Sequence, residues 1–206
     1  MAASPPRAAK AVGSPVRKRA GRCSGCGRRR KPSSSGRHRA RRRSGLLART
    51  EPPPRRQPMR VVLDSKLRLR PQGKLFASLA QAPVIVIGAA DADPAGRIAL
   101  ESAGARVAQV AGRAGAVDVG AALAWLAGDG VERMLCEGGG QLAASLIAAG
   151  CVDRLEWMRA PIVLGSEGRP AVAALALQRL SEAPAWRRVA VRELGPDLWE
   201  SYERAP

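Results

Sequence analysis

From Val61 onward the apolar residues fall into two kinds of run. Val61-Val62-Leu63, ending at Asp64, and Val84-Ile85-Val86-Ile87, ending at Gly88, are short and continuously apolar, the pattern of central strands buried on both faces. Arg106 to Val110 and Glu132 to Cys136 read as two more strands. Helical spacing separates them. Asp93 caps a helix with Pro94 at its first position, running through Ile98 and Leu100 to Gly104. Asp118 caps a second, carrying Leu123, Trp125 and Leu126 and closed around Gly128 to Gly130. A third places Leu142, Leu146 and Ala149 on one face and ends at Gly150. Strands alternating with helices predict a largely parallel sheet covered on both faces.

The pattern then changes. Arg154 to Met158 reads as a strand, with Ala160-Pro161-Ile162-Val163-Leu164-Gly165 as its exit into a loop. Trp186 to Leu194 alternates, Gly195-Pro196-Asp197 turns, and Leu198 to Tyr202 returns as a hairpin. The fold class is therefore α/β, with a mostly parallel central sheet flanked by helices and an antiparallel C-terminal hairpin. The 146 residues from Val61 to Pro206 suit one domain with one core.

Charge divides the chain at the same place. The formal net charge is +18, but residues 1 to 60 hold 19 Lys and Arg against the single acid Glu51, leaving 16 of each sign in the remainder. Residues 1–57 are rich in Arg, Ser, Pro, Gly and Ala and show no hydrophobic periodicity, so they are expected to be disordered. A nucleic-acid-binding arm, a transit-peptide-like leader and a metal knuckle on Cys23, Cys26 and His38 are the functional readings of this segment. The absence of Phe, Trp and Tyr from residues 1 to 60 argues against a nucleic-acid arm, and the absence of a fourth ligand in the segment argues against zinc. Cys136 and Cys151 stand in apolar contexts and read as small core residues rather than a disulfide. No stretch is long and apolar enough to span a membrane, and a cytoplasmic location is expected.

The candidate chemistry lies in Cys136-Glu137-Gly138-Gly139-Gly140-Gln141-Leu142: strand end, carboxylate, side-chain-free turn, helix start. Glycines let the backbone approach an anion, and the amides and positive dipole end of the helix stabilise it. The spacing is not the dinucleotide fingerprint G-x-G-x-x-G, since the three glycines are consecutive. A tight connection beside a solvated glutamate is the bland alternative. In parallel sheets ligands bind at the carboxyl ends of the strands, where Asp64-Ser65, Gly88-Ala89 and Glu137 to Gly140 all fall, so one cleft is expected to collect them.

Five segments in this order resemble one known family: Arg60-Val61-Val62-Leu63-Asp64-Ser65; Glu137-Gly138-Gly139-Gly140 with Leu142 and Leu146; Gly150-Cys151-Val152-Asp153-Arg154-Leu155; Ala160-Pro161 with Gly165; and Arg192-Glu193-Leu194-Gly195-Pro196-Asp197. That family is the C-terminal reductase domain of the riboflavin-biosynthesis deaminase-reductase, and the similarity runs from about Pro58 to Tyr202. The resemblance implies a dihydrofolate-reductase-like fold and NADPH-dependent reduction of 5-amino-6-(5-phosphoribosylamino)uracil to its ribitylamino form. It implies substrate contact by Glu137 and cofactor contacts by Ser65, Gly139, Gly140, Gln141, Leu142, Ala143, Ala144 and Ser145. It assigns no catalytic residue and no metal, and it favours a homodimer with the C-terminal ribbon as a contact.

Two alternatives stand beside it: a non-catalytic α/β scaffold with a basic nucleic-acid-binding arm, and a related reductase acting on another pterin- or pyrimidine-like compound. Residues 58–206 are read as a reductase domain without the family's usual N-terminal portion, and the deaminase H-x-E and P-C-x-x-C zinc motif is absent from the sequence. The composition of residues 1–57 is what out-of-frame translation of a GC-rich coding sequence would produce.

Overall fold

The apolar runs form the centre of a parallel sheet. The computed structural model describes residues 12–13, 15–17, 37–40, 57–113, 115–165 and 168–205. The chain divides into two units, residues 16–136 and residues 137–206 with 1–15.

In residues 16–136, β4 (Arg60–Leu63) pairs in parallel with β5 (Val84–Ala89), which pairs in parallel with β6 (Arg106–Val110). On the other side of β4 lie β3 (Arg37–Ala40) and β9 (Arg133–Cys136), both parallel, with β2 (Pro15–Arg17) outermost. All six residues of β5 are buried, which is why the run shows no alternation. Val62, Val84 and Val86 pack with Leu75, Phe76, Leu100 and Ala105. Each such side chain contributes about 1.5–3 kcal/mol when fully buried.

The helix caps form as the sequence predicts. The Asp93 carboxylate accepts from the Ala95 amide at the start of α2 (Pro94–Ser102), and Asp118 accepts from Ala121 at the start of α3 (Val119–Gly128). Gly104 (φ 90°) and Gly130 (φ 86°) follow the two helices in left-handed conformations that favour glycine. Ile98 faces solvent, leaving Leu100 to anchor α2.

Some elements have no signal in the pattern. The helix α1 (Lys74–Ala77) and the ribbon of β7 (Gly112–Arg113) with β8 (Ala116–Val117) are too short to repeat a hydrophobic period. The sequence reading placed no strand in the basic segment, yet β1 (Val12–Gly13), β2 and β3 form there. Arg37-His38-Arg39-Ala40 has none of the apolar character of a central strand, although it pairs on both sides. Most of the residues in the disordered or out-of-frame reading of 1–57 lie outside the described residues.

The other unit holds α4 (Gly140–Ala148) and an antiparallel sheet of β10 (Arg154–Arg159), β11 (Trp186–Leu194) and β12 (Asp197–Arg204), in the order β1-β10-β12-β11. β11 and β12 are the expected hairpin, with a bulge between Arg188 and Ala190. Each face of this sheet buries one carboxylate. Glu156 accepts from the Trp199 indole at 2.5 Å and from the Ser201 hydroxyl, and it forms an ion pair with Arg154 at 2.7 Å. Glu200 accepts from Arg159 at 2.9 Å, Tyr202 at 3.0 Å and Arg188 at 3.5 Å.

Burial pushes the Glu200 carboxyl up, but the Tyr202 hydroxyl and the two guanidiniums outweigh it, and the group sits below its usual range. Its contribution to stability is therefore present above the unfolded carboxyl pKa and is lost as pH falls through the lower folded value. Glu200→Gln should lower stability by about 1 kcal/mol at pH 7, a modest figure because both arginines are half-exposed. The gap from wild type should close on acidification. Melting temperatures of the two proteins from pH 7 down to 3 check this; a gap that is constant with pH would contradict the ionic contribution.

Candidate functional site

At the carboxyl end of β4 the chain turns sharply. The Asp64 amide donates to Ile87 O at 2.9 Å, continuing the ladder, and Leu67 N closes a turn onto Asp64 O at 2.9 Å. The Asp64 carboxylate then accepts from Leu69 N at 2.7 Å and Lys66 N at 3.4 Å, so a single aspartate organises the loop. Ser65 sits inside this turn, half-buried. Its carbonyl accepts from Ala89 N at 3.2 Å and its Oγ accepts from Val117 N at 2.9 Å. The expected neighbours Asp64-Ser65 and Gly88-Ala89 are thus brought together at one end of the sheet. The Val117 partner of Ser65 was not foreseen, because β8 gives no signal in the sequence.

The Glu137 to Gly140 turn is placed with residues 137–206. Glu137 is half-buried, three residues before α4 begins. The three glycines have different surroundings. A Cβ at Gly138 would stand 2.6 Å from the Leu142 side chain, one at Gly139 would meet nothing within 4 Å, and one at Gly140 would stand 2.5 Å from Pro170 O. Ala173 N also donates to Gly140 O at 3.0 Å, so the segment 170–173 packs against the first residue of α4.

Gly139 is the N-cap of α4, with φ −73° and ψ 174° and no side-chain cap. The helix start thus differs from α2 and α3, whose first amides are taken by Asp93 and Asp118. Amides at the start of α4 with no side-chain cap, beneath an exposed Gly139, fit the phosphate of a nucleotide cofactor. Farther along, Ala144 is buried, and the Ser145 hydroxyl donates to Gln141 O at 3.0 Å. Of the expected stretch Gly139 to Ser145, then, Gly139 and Gln141 are exposed, Gly140 packs against residues 170–173, and Ala144 faces the core.

Leu67 shapes the turn that carries Ser65, and sequence reasoning missed it. It is buried in the core cluster with φ 52°. The signals were Gly88 and Gly96, each of which has its Cβ position filled by Leu67 atoms. The Cys23, Cys26 and His38 knuckle lies outside the described side chains.

The sequence profile described as the RibD C-terminal domain matches residues 29–199. The chain belongs to this family. The match begins inside the basic segment and runs through both units. A 2,5-diamino-6-ribosylamino-4(3H)-pyrimidinone 5′-phosphate reductase of Methanothermobacter thermautotrophicus is 31% identical over 155 residues, covering 75% of this chain and 69% of that protein. The riboflavin biosynthesis protein RibD of Bacillus amyloliquefaciens is 28% identical over 144 residues, covering 69% of this chain. The chain spans 38% of the length of that RibD.

Solved structures agree on the fold. The riboflavin biosynthesis reductase of Saccharomyces cerevisiae superposes with a TM-score of 0.60 at 16% identity, covering 82% of this chain and 75% of that one. RibD of Acinetobacter baumannii gives 0.58 at 20% identity, covering 73% of this chain and 38% of that one. A mixed α/β domain with a parallel sheet and antiparallel C-terminal strands is thus the RibD-type reductase fold. Among the described residues, no helix is long and apolar enough to cross a membrane.

Proposed function

We propose that this RibD-family chain is an NADPH-dependent reductase that converts the ribosylamino group of 5-amino-6-(5-phosphoribosylamino)uracil to the ribitylamino form in riboflavin biosynthesis. The observation that carries this reading is the start of α4, a glycine turn with no side-chain cap and with Glu137 directly upstream, in a chain of this family. NADPH, when bound, supplies the hydride.

The chain's own residues bind and orient. Amides at the start of α4 hold phosphate oxygens, and the Ser65 hydroxyl, already accepting from Val117 N, has its proton to give to the cofactor. The Glu137 carboxylate accepts hydrogen bonds from the substrate and fixes its orientation, the factor on which hydride transfer depends most. The archaeal relative is named for a diaminopyrimidinone ribosyl phosphate, so that compound is the second substrate to assay. A cytoplasmic homodimer is part of the proposal. Its support is β11, a nine-residue edge strand on which Val189, Val191 and Leu194 are exposed.

One experiment tests the reading against the scaffold with a basic arm. NADPH at a hundred times its Kd should stabilise the full chain by about 2.7 kcal/mol, while NADH and DNA leave the melting temperature unchanged. Glu137→Gln should lower turnover about 10²-fold and leave the NADPH shift intact. Salt-sensitive DNA binding by the full chain, with no NADPH shift, would replace the reductase by the scaffold.

A further inference from the structure

Two described non-glycine residues hold a left-handed backbone, Leu67 at φ 52° and Ala176 at φ 53°. For leucine this conformation is unfavourable, and it persists only where the surroundings over-determine it. Around Leu67 they do. Its amide closes the turn onto Asp64 O, its side chain is 2% exposed among Val62, Val84, Val86 and Leu100, and the Asp64 carboxylate ties down Lys66 N and Leu69 N on either side.

Two glycines make room for it. A Cβ at Gly88, the penultimate residue of β5, would stand 2.8 Å from Leu67 Cγ and Cδ2; one at Gly96, in the first turn of α2, would stand 2.5 Å from Leu67 O. Neither glycine has a positive φ, so what each provides is clearance. Leu67 is therefore wedged between the end of β5 and the start of α2. Two residues upstream, Ser65 is anchored through its carbonyl to Ala89 N and through Oγ to Val117 N. A hydroxyl that accepts from a fixed amide keeps its proton for another acceptor, and the turn sets the direction of that proton.

We propose that Leu67 is a positioning residue: wedged against Gly88 and Gly96, it holds the Asp64–Leu69 turn so that the Ser65 hydroxyl is presented to an oxygen of bound NADPH. This rests on the cofactor role given to Ser65 above.

The test is a double-mutant cycle on the full chain, reading the Kd for NADPH by fluorescence titration, with melting temperature alongside. Ser65→Ala should raise Kd about tenfold, the loss of one hydrogen bond. Leu67→Ala should raise it by a similar factor. The double variant should stay near tenfold and not approach the roughly hundredfold expected of independent sites. If Leu67→Ala does not fold, Gly88→Ala, which crowds the same side chain, takes its place in the cycle.

A multiplicative double variant, or a Leu67→Ala that melts earlier but binds NADPH normally, would overturn the positioning role while the cofactor reading stands. Normal binding by Ser65→Ala removes Ser65 from the cofactor site and the proposal with it. Failure of the wild type to bind NADPH overturns the reductase reading itself.

Discussion

Arg60→Ala should destabilise residues 16–136 by about 3–5 kcal/mol, since it strips several buried carbonyls of their donor at once. Arg60 opens β4 and is 2% exposed. Its guanidinium donates to Leu75 O and Ser78 O, each at 3.0 Å, and also to Ser78 Oγ and Ala82 O. Those acceptors belong to α1, its C-cap and the turn leading into β5, so one side chain gathers carbonyls that the short helix cannot satisfy itself. A cation at a helix C-terminus is also favoured by the dipole. Desolvation lowers the Arg60 pKa, yet a guanidinium stays charged and must be hydrogen-bonded when buried.

The variants should rank in order. Arg60→Met keeps much of the packing but leaves the carbonyls unpaired, and should cost less than Arg60→Ala. Arg60→Lys carries the charge but has no planar fork to span acceptors on two turns, and should recover part of the loss. Urea unfolding midpoints at constant m value measure the series. A wild-type midpoint for Arg60→Met would mean that the carbonyl network does not hold residues 74–82.

What the sequence made legible, and what it did not, follows from the range over which each signal acts. Asp93 and Asp118 were readable as caps because a cap is satisfied by its own helix within three residues. β5 was readable because burial on both faces leaves a continuous apolar run. The hairpin of β11 and β12 was readable from alternation around Gly195. Arg60 was not, since an arginine at a strand start reads as solvent-facing, and its acceptors lie 15 to 22 residues away. Leu67 was hidden for the same reason. Nothing local marks a leucine as left-handed, and the two glycines that accommodate it are 21 and 29 positions downstream.

The candidate site shows the same division. The glycine triplet and Ser65 were visible as residue types, but not the different surroundings of the three glycines or the bond from Val117 to Ser65.

Gly140→Ala and Gly139→Ala, one residue apart, should fail in opposite ways. At Gly140 the new methyl would stand 2.5 Å from Pro170 O, 3.1 Å from Ala173 N and 3.3 Å from Ala171 O, all of them backbone atoms that no rotamer change can move. Relief requires shifting residues 170–173, at the expense of the bond from Ala173 N to Gly140 O. Overpacking of this kind costs about 3 kcal/mol or more, against which the better helix propensity of alanine returns about 1 kcal/mol. At Gly139 the backbone is extended and the Cβ site is open, so folding should lose less than about 1 kcal/mol, the scale of a cap change.

If the start of α4 receives a phosphate, however, the Gly139 methyl occupies the approach to its amides. Gly139→Ala should then melt near wild type and lose NADPH affinity at least tenfold, whereas Gly140→Ala should melt several degrees lower. Calorimetry and NADPH titration on the two variants decide the matter. A Gly139→Ala protein that binds NADPH as wild type does would show that the glycine turn is a structural connection and that the cofactor phosphates are held elsewhere.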